Sequence, residues 1–356
     1  MNTPQFSLEP LPGACFGAWL TFENTGDLGK LITELERQPA CIVRTLNESD
    51  GLVVMPGMQQ ISQQPELLVR LSRLFGPEVE NYRRTVTPPN MIHEQVSEIL
   101  IVSNRPPVNL TPPPKPDPAL AADGLIPVQF PHCDGWHTDQ SFRRPPPDIS
   151  LFYAHIPAPK GQGQTLYANG VAALESLPES LRERVEGLRG LHAVRGVGRT
   201  EEAVRAGQPP EPLLSHQRSQ VQPVVRIHPV TGKRALYLCG SSQMDWVDGP
   251  FVDLEKGPDG EGGRLLYELM SHYTQRRFTY AHDWSAGDLI VYDNRCLAHS
   301  GSWYEHEHPR VMWRTTVMGN PGDEYAGEAP SWIPKDGGDP MAGLSQLDWN
   351  TDELNR

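Results

Sequence analysis

The sequence has few cysteines, no excess of basic residues and no long apolar segment. Five cysteines among 356 residues are too few, and odd in number, for a disulfide framework, and they suit a reducing compartment. Lysine and arginine number 31 against 44 acidic residues, a formal net charge of −13. We therefore expect no nucleic-acid and no membrane partner, because binding to either polyanion depends on clustered basic side chains.

No apolar run could span a bilayer, and residues 1–22 lack the basic residue of a signal peptide. These absences predict an acidic cytoplasmic protein.

Proline and glycine, by contrast, are abundant, with 36 and 32 residues. They divide the chain into short segments, which disfavours a helical bundle and favours strands with long connections. Helical spacing of apolar residues is found in 27–37, 66–75, 181–188 and 263–275. The pattern of strands is found in 41–46, 98–103, 149–155, 165–168, 221–228, 234–239, 278–282, 288–292 and 310–318. This content predicts a mixed α+β fold, an antiparallel sandwich or barrel with helical cover.

Two segments lack the pattern of a helix or a strand. Residues 104–134 contain nine prolines and lead directly into the metal-binding motif described next. We therefore predict a lid over an active site, formed by residues 104–135, with a surface excursion of no function as the alternative. Residues 321–356 hold eight acidic side chains against two basic ones, with frequent glycine and proline. We predict one domain over residues 1–320 and an extended acidic arm over 321–356.

A candidate metal site begins at residues 136–139, whose sequence Trp-His-Thr-Asp contains a His-x-Asp pair. Residues two apart in an extended segment point to the same side, so His137 and Asp139 could bind one ion together. A third candidate ligand, His299, follows the predicted strand 288–292 and a polar turn. Two imidazoles and one carboxylate form the facial triad of non-heme Fe(II) oxygenases, which leaves coordination positions open. These three residues are the candidate metal ligands and catalytic centre.

Two arginines, Arg310 and Arg314, follow His299 closely. If residues 311–317 form a strand, both arginine side chains lie on one face of it. A guanidinium buried on such a face needs an anion, because an unpaired buried charge is very costly. That anion is either a carboxylate of the protein or a carboxylate-bearing co-substrate, which arginine binds with two parallel hydrogen bonds.

In order and spacing, these motifs resemble those of the taurine dioxygenase/TfdA family of Fe(II)- and 2-oxoglutarate-dependent dioxygenases. The resemblance covers about seven tenths of the chain, roughly residues 65–320. It is carried by residues 136–139, 163–166, 224–233 and 293–295 together with His299, Arg310 and Arg314. It implies a double-stranded β-helix (jelly roll) and, as is frequent in this family, a homo-oligomer.

The resemblance also implies roles for individual residues. The three candidate ligands would hold Fe(II), Arg310 would pair with the distal carboxylate of 2-oxoglutarate, and the Thr165 hydroxyl would help to hold it. Arg314 matches the position at which relatives bind an anionic group of the prime substrate. The implied reaction consumes O2, releases succinate and CO2, and hydroxylates a small organic anion (a carboxylate, sulfonate, sulfate ester or phosphonate). Residues 77–84 lack the histidine with which the taurine enzyme contacts its substrate, which argues against taurine itself.

A different interpretation of the same residues is a structural zinc site. Cys133 lies four residues before His137, and Cys296 lies three residues before His299. Together these four could form a closed Cys2His2 site. The chain would then be a non-catalytic jelly-roll protein with a binding function.

Overall fold

The computed structural model describes residues 5–210 and 212–332, which form a mixed α+β fold. The strands are β1 (Phe6–Pro10), β2 (Ala18–Phe22), β3 (Leu52–Met55), β4 (Glu78–Val79), β5 (Leu100–Ser103), β6 (Ile149–Ile156), β7 (Thr165–Asn169), β8 (Arg189–His192), β9 (Gln220–Pro223), β10 (Val225–Ile227), β11 (Arg234–Leu236), β12 (Thr279–His282), β13 (Leu289–Asp293), β14 (Leu297–Gly301) and β15 (Val311–Met318). The α-helices are α1 (Leu28–Arg37), α2 (Ala40–Glu48), α3 (Glu66–Ser72), α4 (Gly170–Glu175), α5 (Glu179–Val185), α6 (Glu201–Arg205) and α7 (Glu261–Tyr273). Within these residues, none of the helices has the length and apolar character that crossing a membrane requires.

A large sheet contains eight of the strands. Its order is β1-β2-β3-β13-β6-β15-β4, and β5 also pairs with β15. Neighbouring strands are antiparallel except β2 and β3, which run parallel. A parallel pair needs a crossover connection, and α1 and α2 provide it. The apolar faces of α1, α2 and α3 share one core with side chains of β6, β13 and β15. These helices therefore cover one face of the large sheet.

A second, smaller sheet has the antiparallel order β12-β7-β14. Helices α4, α5 and α7 share a core with the outward side chains of this sheet. A third core lies between the two sheets, with Phe152 and Tyr292 from the large sheet and Tyr167 and Tyr280 from the small one. Two facing sheets with helices outside them are consistent with the expected jelly roll. Their inner faces carry much of the candidate site.

The prediction of a strand over residues 41–46 is wrong, because these residues belong to α2. Ile42, Thr45 and Leu46 bury one side of that helix, at the spacing of neighbours on a helical face. Burial of this face outweighs the β-branched preference of the local sequence. Residues 221–228 are divided between two strands rather than forming one: β9 pairs with β8, and β10 pairs with β11. The other predicted helices and strands are found within a few residues of their expected bounds.

The proline-rich connection is part of a longer segment, residues 104–148, that joins β5 to β6 without a helix or strand. Its second half is anchored, because Trp136 is fully buried and donates from its indole nitrogen to the Val128 carbonyl at 3.0 Å. In its first half, the Lys115 ammonium lies 4.4 Å from the centre of the Trp303 ring. A lid function for this segment stays a prediction.

The predicted acidic arm begins in contact with the rest of the protein. Tyr325 is buried, and its hydroxyl donates to the Gln222 side chain at 2.8 Å. Glu328 forms an ion pair with Arg144 at 2.5 Å. Residues 333–356 lie outside the described residues, so the arm as a whole stays a prediction.

Candidate active site

His137 and His299 are brought together by a short backbone pairing between residue 137 and β14. The His137 N–H donates to the His299 carbonyl at 2.9 Å, and the His299 N–H donates to the His137 carbonyl at 2.7 Å. The two imidazole centres are 4.2 Å apart. His137 Nδ1 lies 2.7 Å from the Gly135 carbonyl oxygen. Because a carbonyl oxygen only accepts, Nδ1 carries the proton and Nε2 keeps a lone pair for a metal.

The Asp139 carboxylate is held by hydroxyl groups of the large sheet. Its Oδ2 accepts from the Tyr292 hydroxyl at 2.6 Å and from the Ser150 hydroxyl at 2.8 Å. Its backbone N–H donates to the Asn294 side chain at 3.1 Å. Tyr292 lies on β13 and Ser150 on β6, whereas His299 comes from the small sheet. The site is therefore assembled from both sheets.

The three candidate ligands lie close enough for one ion. Asp139 Oδ1 is 3.9 Å from His137 Nε2 and 3.7 Å from His299 Nε2, and the three ligand atoms lie within 4.8 Å of one another. Nitrogen and oxygen ligands lie about 2.0–2.2 Å from a divalent transition ion, so two of them are separated by roughly 3–4 Å. Two imidazoles and one carboxylate with this spacing fit a non-heme iron centre.

The electrostatics of the site also suit metal binding. Burial, the neighbouring imidazole and the charge of Arg195 hold the pKa of His137 well below its usual value, and burial is the main cause that lowers the pKa of His299 to about 4. Burial alone would raise the pKa of Asp139, but Arg314 and the imidazoles outweigh burial and hold the pKa of this carboxyl below its ordinary value. The site thus presents neutral imidazoles and a carboxylate near neutral pH, the states that bind metals.

Arg310 is a buried cation with no acidic partner among the described residues. Its Nε donates to the Gly163 carbonyl at 3.1 Å, and its guanidinium lies 5.6 Å and 5.9 Å from the ring centres of Tyr304 and Phe152. Burial lowers the pKa of the guanidinium, and no carboxylate of the described residues offsets this effect. Because an unpaired buried charge is costly, the arrangement fits a carboxylate supplied by a bound molecule such as 2-oxoglutarate.

Thr165 lies in the same neighbourhood, two residues after Gly163. Its hydroxyl oxygen accepts from the Trp284 indole N–H at 3.0 Å, which leaves the hydroxyl proton available for another acceptor. Thr165 is paired with Gly301 of β14, two residues beyond His299. The structure therefore brings the predicted co-substrate residues close to the strand that carries a candidate metal ligand.

Gly163 is expected to tolerate no side chain. Its φ is +59°, and a Cβ there would lie 2.9 Å from the Ala158 Cβ and 3.1 Å from Arg310 Cδ and Nε. Gly163→Ala should lower the free energy of unfolding by about 1–3 kcal/mol and weaken 2-oxoglutarate binding to the Mn(II)-loaded protein, because Arg310 must move. Gly161→Ala is the matched control, since Gly161 has φ +81° and open space around it. Equal co-substrate affinity in the two variants would contradict this role of Gly163.

Arg314, on β15, is paired with a carboxylate of the protein itself. One of its terminal nitrogens contacts Asp139 Oδ1 directly, whereas its buried Nε has no hydrogen-bond partner in the part of the chain that the structure describes. The sequence allows either a protein carboxylate or a co-substrate carboxylate as the anion. Arg314 pairs with a protein carboxylate, whereas Arg310 pairs with none among the described residues. Substrate binding by Arg314 stays a prediction.

The structure separates the residues of the alternative zinc site. Cys296 groups with His228 and Asp293, and among the described residues Cys133 belongs to no such group. His228 Nδ1 accepts from two backbone N–H groups, so its Nε2 donates to Asp293 at 3.0 Å and has no lone pair for a metal. The Cys2His2 interpretation is therefore wrong.

Arg195, in the loop after β8, is a residue that sequence reasoning missed. One terminal nitrogen lies 4.0 Å from where a Cβ on Gly135 would stand. Its Nε is buried and has no hydrogen-bond partner among residues 5–210 and 212–332. Its charge contributes to the lowered pKa of both ligand histidines. No motif surrounds Arg195 in the sequence, so no local signal could have placed it beside the site.

Comparisons with known proteins agree with this geometry. The family model described as "Taurine catabolism dioxygenase TauD, TfdA family" matches residues 7–316. The chain is 33% identical over 190 residues to an alpha-ketoglutarate-dependent 2,4-dichlorophenoxyacetate dioxygenase of Burkholderia sp. (strain RASC), a match that spans 52% of this chain and only 58% of that protein. It is 29% identical over 330 residues to a pentalenolactone F synthase of Streptomyces arenae, with 90% of this chain and 98% of the synthase covered.

A solved structure shows the same fold. It belongs to a Burkholderia xenovorans protein described as a candidate alpha-ketoglutarate-dependent taurine dioxygenase, with a TM-score of 0.62, 26% identity and coverage of 89% of this chain and 93% of that one. The family match begins at residue 7, well before the motifs recognised in the sequence. The chain belongs to the TauD/TfdA family.

Proposed function

We propose that this chain is an Fe(II)- and 2-oxoglutarate-dependent dioxygenase. The observation that carries the proposal combines two features. His137, Asp139 and His299 form a ligand set, and beside it the buried guanidinium of Arg310 pairs with no carboxylate of the described residues. The ligand set alone is common to several metal enzymes. A buried cation beside the ligand set needs a carboxylate partner. 2-oxoglutarate has such a carboxylate at the end that does not bind the metal.

In this proposal the chain's own residues hold and orient the reactants. The three ligands hold the iron, while Arg310 and Thr165 bind the distal carboxylate of 2-oxoglutarate. When bound, iron and 2-oxoglutarate supply the oxidising chemistry, in which O2 is consumed, succinate and CO2 are released and the substrate is hydroxylated. Tyr292 and Ser150 fix the carboxylate of Asp139, so that the ligand set is organised before substrate binds. We interpret the two sheets as a double-stranded β-helix and residues 104–135 as its lid.

The proposed substrate is a small organic anion: a carboxylate, sulfonate, sulfate ester or phosphonate. Arg314 and Arg195 support this assignment, since both lie at the site and each has a buried Nε without a partner. The charge of Arg314 is offset by a direct ion pair with Asp139, whereas the charge of Arg195 is offset only by the more distant charge of Asp134. Arg195 is therefore the stronger attraction for an added anion. The similarity to the 2,4-dichlorophenoxyacetate dioxygenase points to the same class, because that compound is a carboxylate.

A succinate-release assay tests the proposed function. The iron-loaded protein is incubated in air with 2-oxoglutarate and a panel that contains phenoxyacetate, an alkyl sulfate, an alkylsulfonate and phenylphosphonate. We expect at least one anion to raise succinate release above the substrate-free rate, with one hydroxylated product for each succinate. Phenoxyacetamide is the neutral control for phenoxyacetate. An iron-loaded protein that never decarboxylates 2-oxoglutarate would contradict the proposal.

Arg195→Met is expected to raise the KM for the anionic substrate about 10- to 100-fold, because hydrogen bonds to charged groups contribute about 1.5–3 kcal/mol. The affinity for 2-oxoglutarate should stay near that of the unaltered protein. Arg314→Met is a poorer test, since it also removes the counter-ion of a metal ligand. Arg205→Met is a control, because Arg205 lies on the surface and pairs with Glu201. A loss of 2-oxoglutarate affinity would instead assign Arg195 to the co-substrate site.

A further inference from the structure

The register of the small sheet places Tyr167 beside a metal ligand. In β7 and β14, Tyr167 is paired directly with His299, and Thr165 is paired with Gly301. Directly paired residues of antiparallel strands point to the same face, as do residues two apart along one strand. Tyr167 therefore shares the inner face of the sheet with His299 and Thr165. It lies level with His299 and two residues along β7 from Thr165.

The hydroxyl of Tyr167 has no partner in the described part of the chain. The residue is completely buried, and its hydroxyl makes no hydrogen bond. The ring is fixed, with its centre 5.3 Å from that of Tyr292 and 6.1 Å from that of His299. Tyr292, by contrast, donates to Asp139. A buried hydroxyl without an acceptor is destabilising. Its position beside the candidate site therefore favours an acceptor that arrives with a bound molecule.

Two charged groups of the site act on the Tyr167 hydroxyl. Burial raises the pKa of Tyr167 well above its ordinary value, Asp139 raises it further and Arg310 lowers it. The hydroxyl is thus within electrostatic reach of both Asp139 and Arg310. Since no described residue accepts its proton, that proton is available to a bound molecule.

We propose that Tyr167 is a further co-substrate-binding residue, whose hydroxyl donates a hydrogen bond to a carboxylate oxygen of 2-oxoglutarate. This inference rests on the proposed function. With Arg310 and Thr165, Tyr167 gives the co-substrate three donors, each of which has a proton without an acceptor in the described residues. The hydroxyl acts in binding, not in holding the metal, so its removal should affect 2-oxoglutarate and leave the ion in place.

The test compares Tyr167→Phe with the unaltered protein by calorimetric titration of 2-oxoglutarate into the Mn(II)-loaded protein, which does not turn over. We expect affinity for 2-oxoglutarate to fall about 10- to 100-fold, with Mn(II) affinity unchanged. Without ligands, the melting temperature of the variant should stay level or rise, because an unsatisfied buried hydroxyl is removed. Tyr153→Phe is the matched control, since Tyr153 is buried away from the site and shares a hydrogen bond with Ser62 at 2.7 Å. That variant should lose stability and keep its 2-oxoglutarate affinity.

The outcomes separate this inference from the function on which it rests. Full 2-oxoglutarate affinity in Tyr167→Phe, with the unaltered protein also binding, would overturn the inference alone. An unaltered protein that binds Mn(II) and not 2-oxoglutarate would overturn both. A marked fall in the melting temperature of ligand-free Tyr167→Phe would show that the hydroxyl has a partner within the protein, and would also overturn the inference.

Discussion

Asp139→Ala is expected to abolish 2-oxoglutarate turnover and iron binding, because the site loses its only charged metal ligand. The same carboxylate pairs with Arg314, so its removal also leaves a buried cation unpaired, at a cost of about 3–5 kcal/mol of stability. Asp139→Asn keeps the shape of the side chain and an oxygen for Tyr292 and Ser150, so it should fold more readily while lacking the charge. Succinate release and Fe(II) content are measured for both variants, with the folded state checked by thermal unfolding.

The matched control for this substitution is Asp245→Ala. Asp245 is also fully buried, and it accepts from the guanidinium of Arg199 at 2.7 Å. Its removal should lower stability to a similar degree while iron binding and turnover persist. Turnover by Asp139→Ala at the unaltered rate would show that the ligand assignment is wrong.

Arg310→Met is expected to weaken 2-oxoglutarate binding about a hundredfold or more, because the carboxylate of the bound co-substrate would then be buried without a cation. Iron binding should persist. Stability without ligands should hold or improve, since no carboxylate of the described residues loses a partner. Titration of 2-oxoglutarate into the Mn(II)-loaded variant, together with its melting temperature, measures both effects.

Arg310→Lys is the conservative comparison. It keeps the positive charge but loses the planar fork that binds a carboxylate with two hydrogen bonds, so its 2-oxoglutarate affinity should lie between those of the methionine variant and the unaltered protein. A methionine variant that binds 2-oxoglutarate normally, or that unfolds because a protein carboxylate has been left unpaired, would contradict the co-substrate role of Arg310.

The grouping of His137 and Asp139 could be predicted because the two residues belong to one local motif, whereas their role as metal ligands stays a prediction. His137 and Asp139 are two residues apart, and an extended backbone is enough to direct both side chains to one ion. The role of Arg310 came from the resemblance to the family's motifs and stays a prediction. The separation of Cys296 from this group could not be foreseen. Cys296 lies in the turn between β13 and β14, whereas His299 lies within β14. The pairing of the strands decides which other side chains each of them meets.

The residues that support the ligands were harder to predict, because each comes from a distant part of the chain. Tyr292 and Ser150 lie on predicted strands, but only the sheet order brings them together at Asp139. The strand prediction for residues 41–46 is wrong because the β-branched residues of α2 favour a strand locally, whereas packing against the sheet buries one face of a helix.

The central claim is that one site holds both an iron ion and 2-oxoglutarate. The most direct measurement is an anaerobic titration of the metal-free protein with Fe(II) and then with 2-oxoglutarate, followed in the visible spectrum. We predict a new charge-transfer band that grows to one equivalent of 2-oxoglutarate and is absent from Asp139→Ala. A protein that binds Fe(II) but develops no band, or a band of equal strength in Asp139→Ala, would contradict the account.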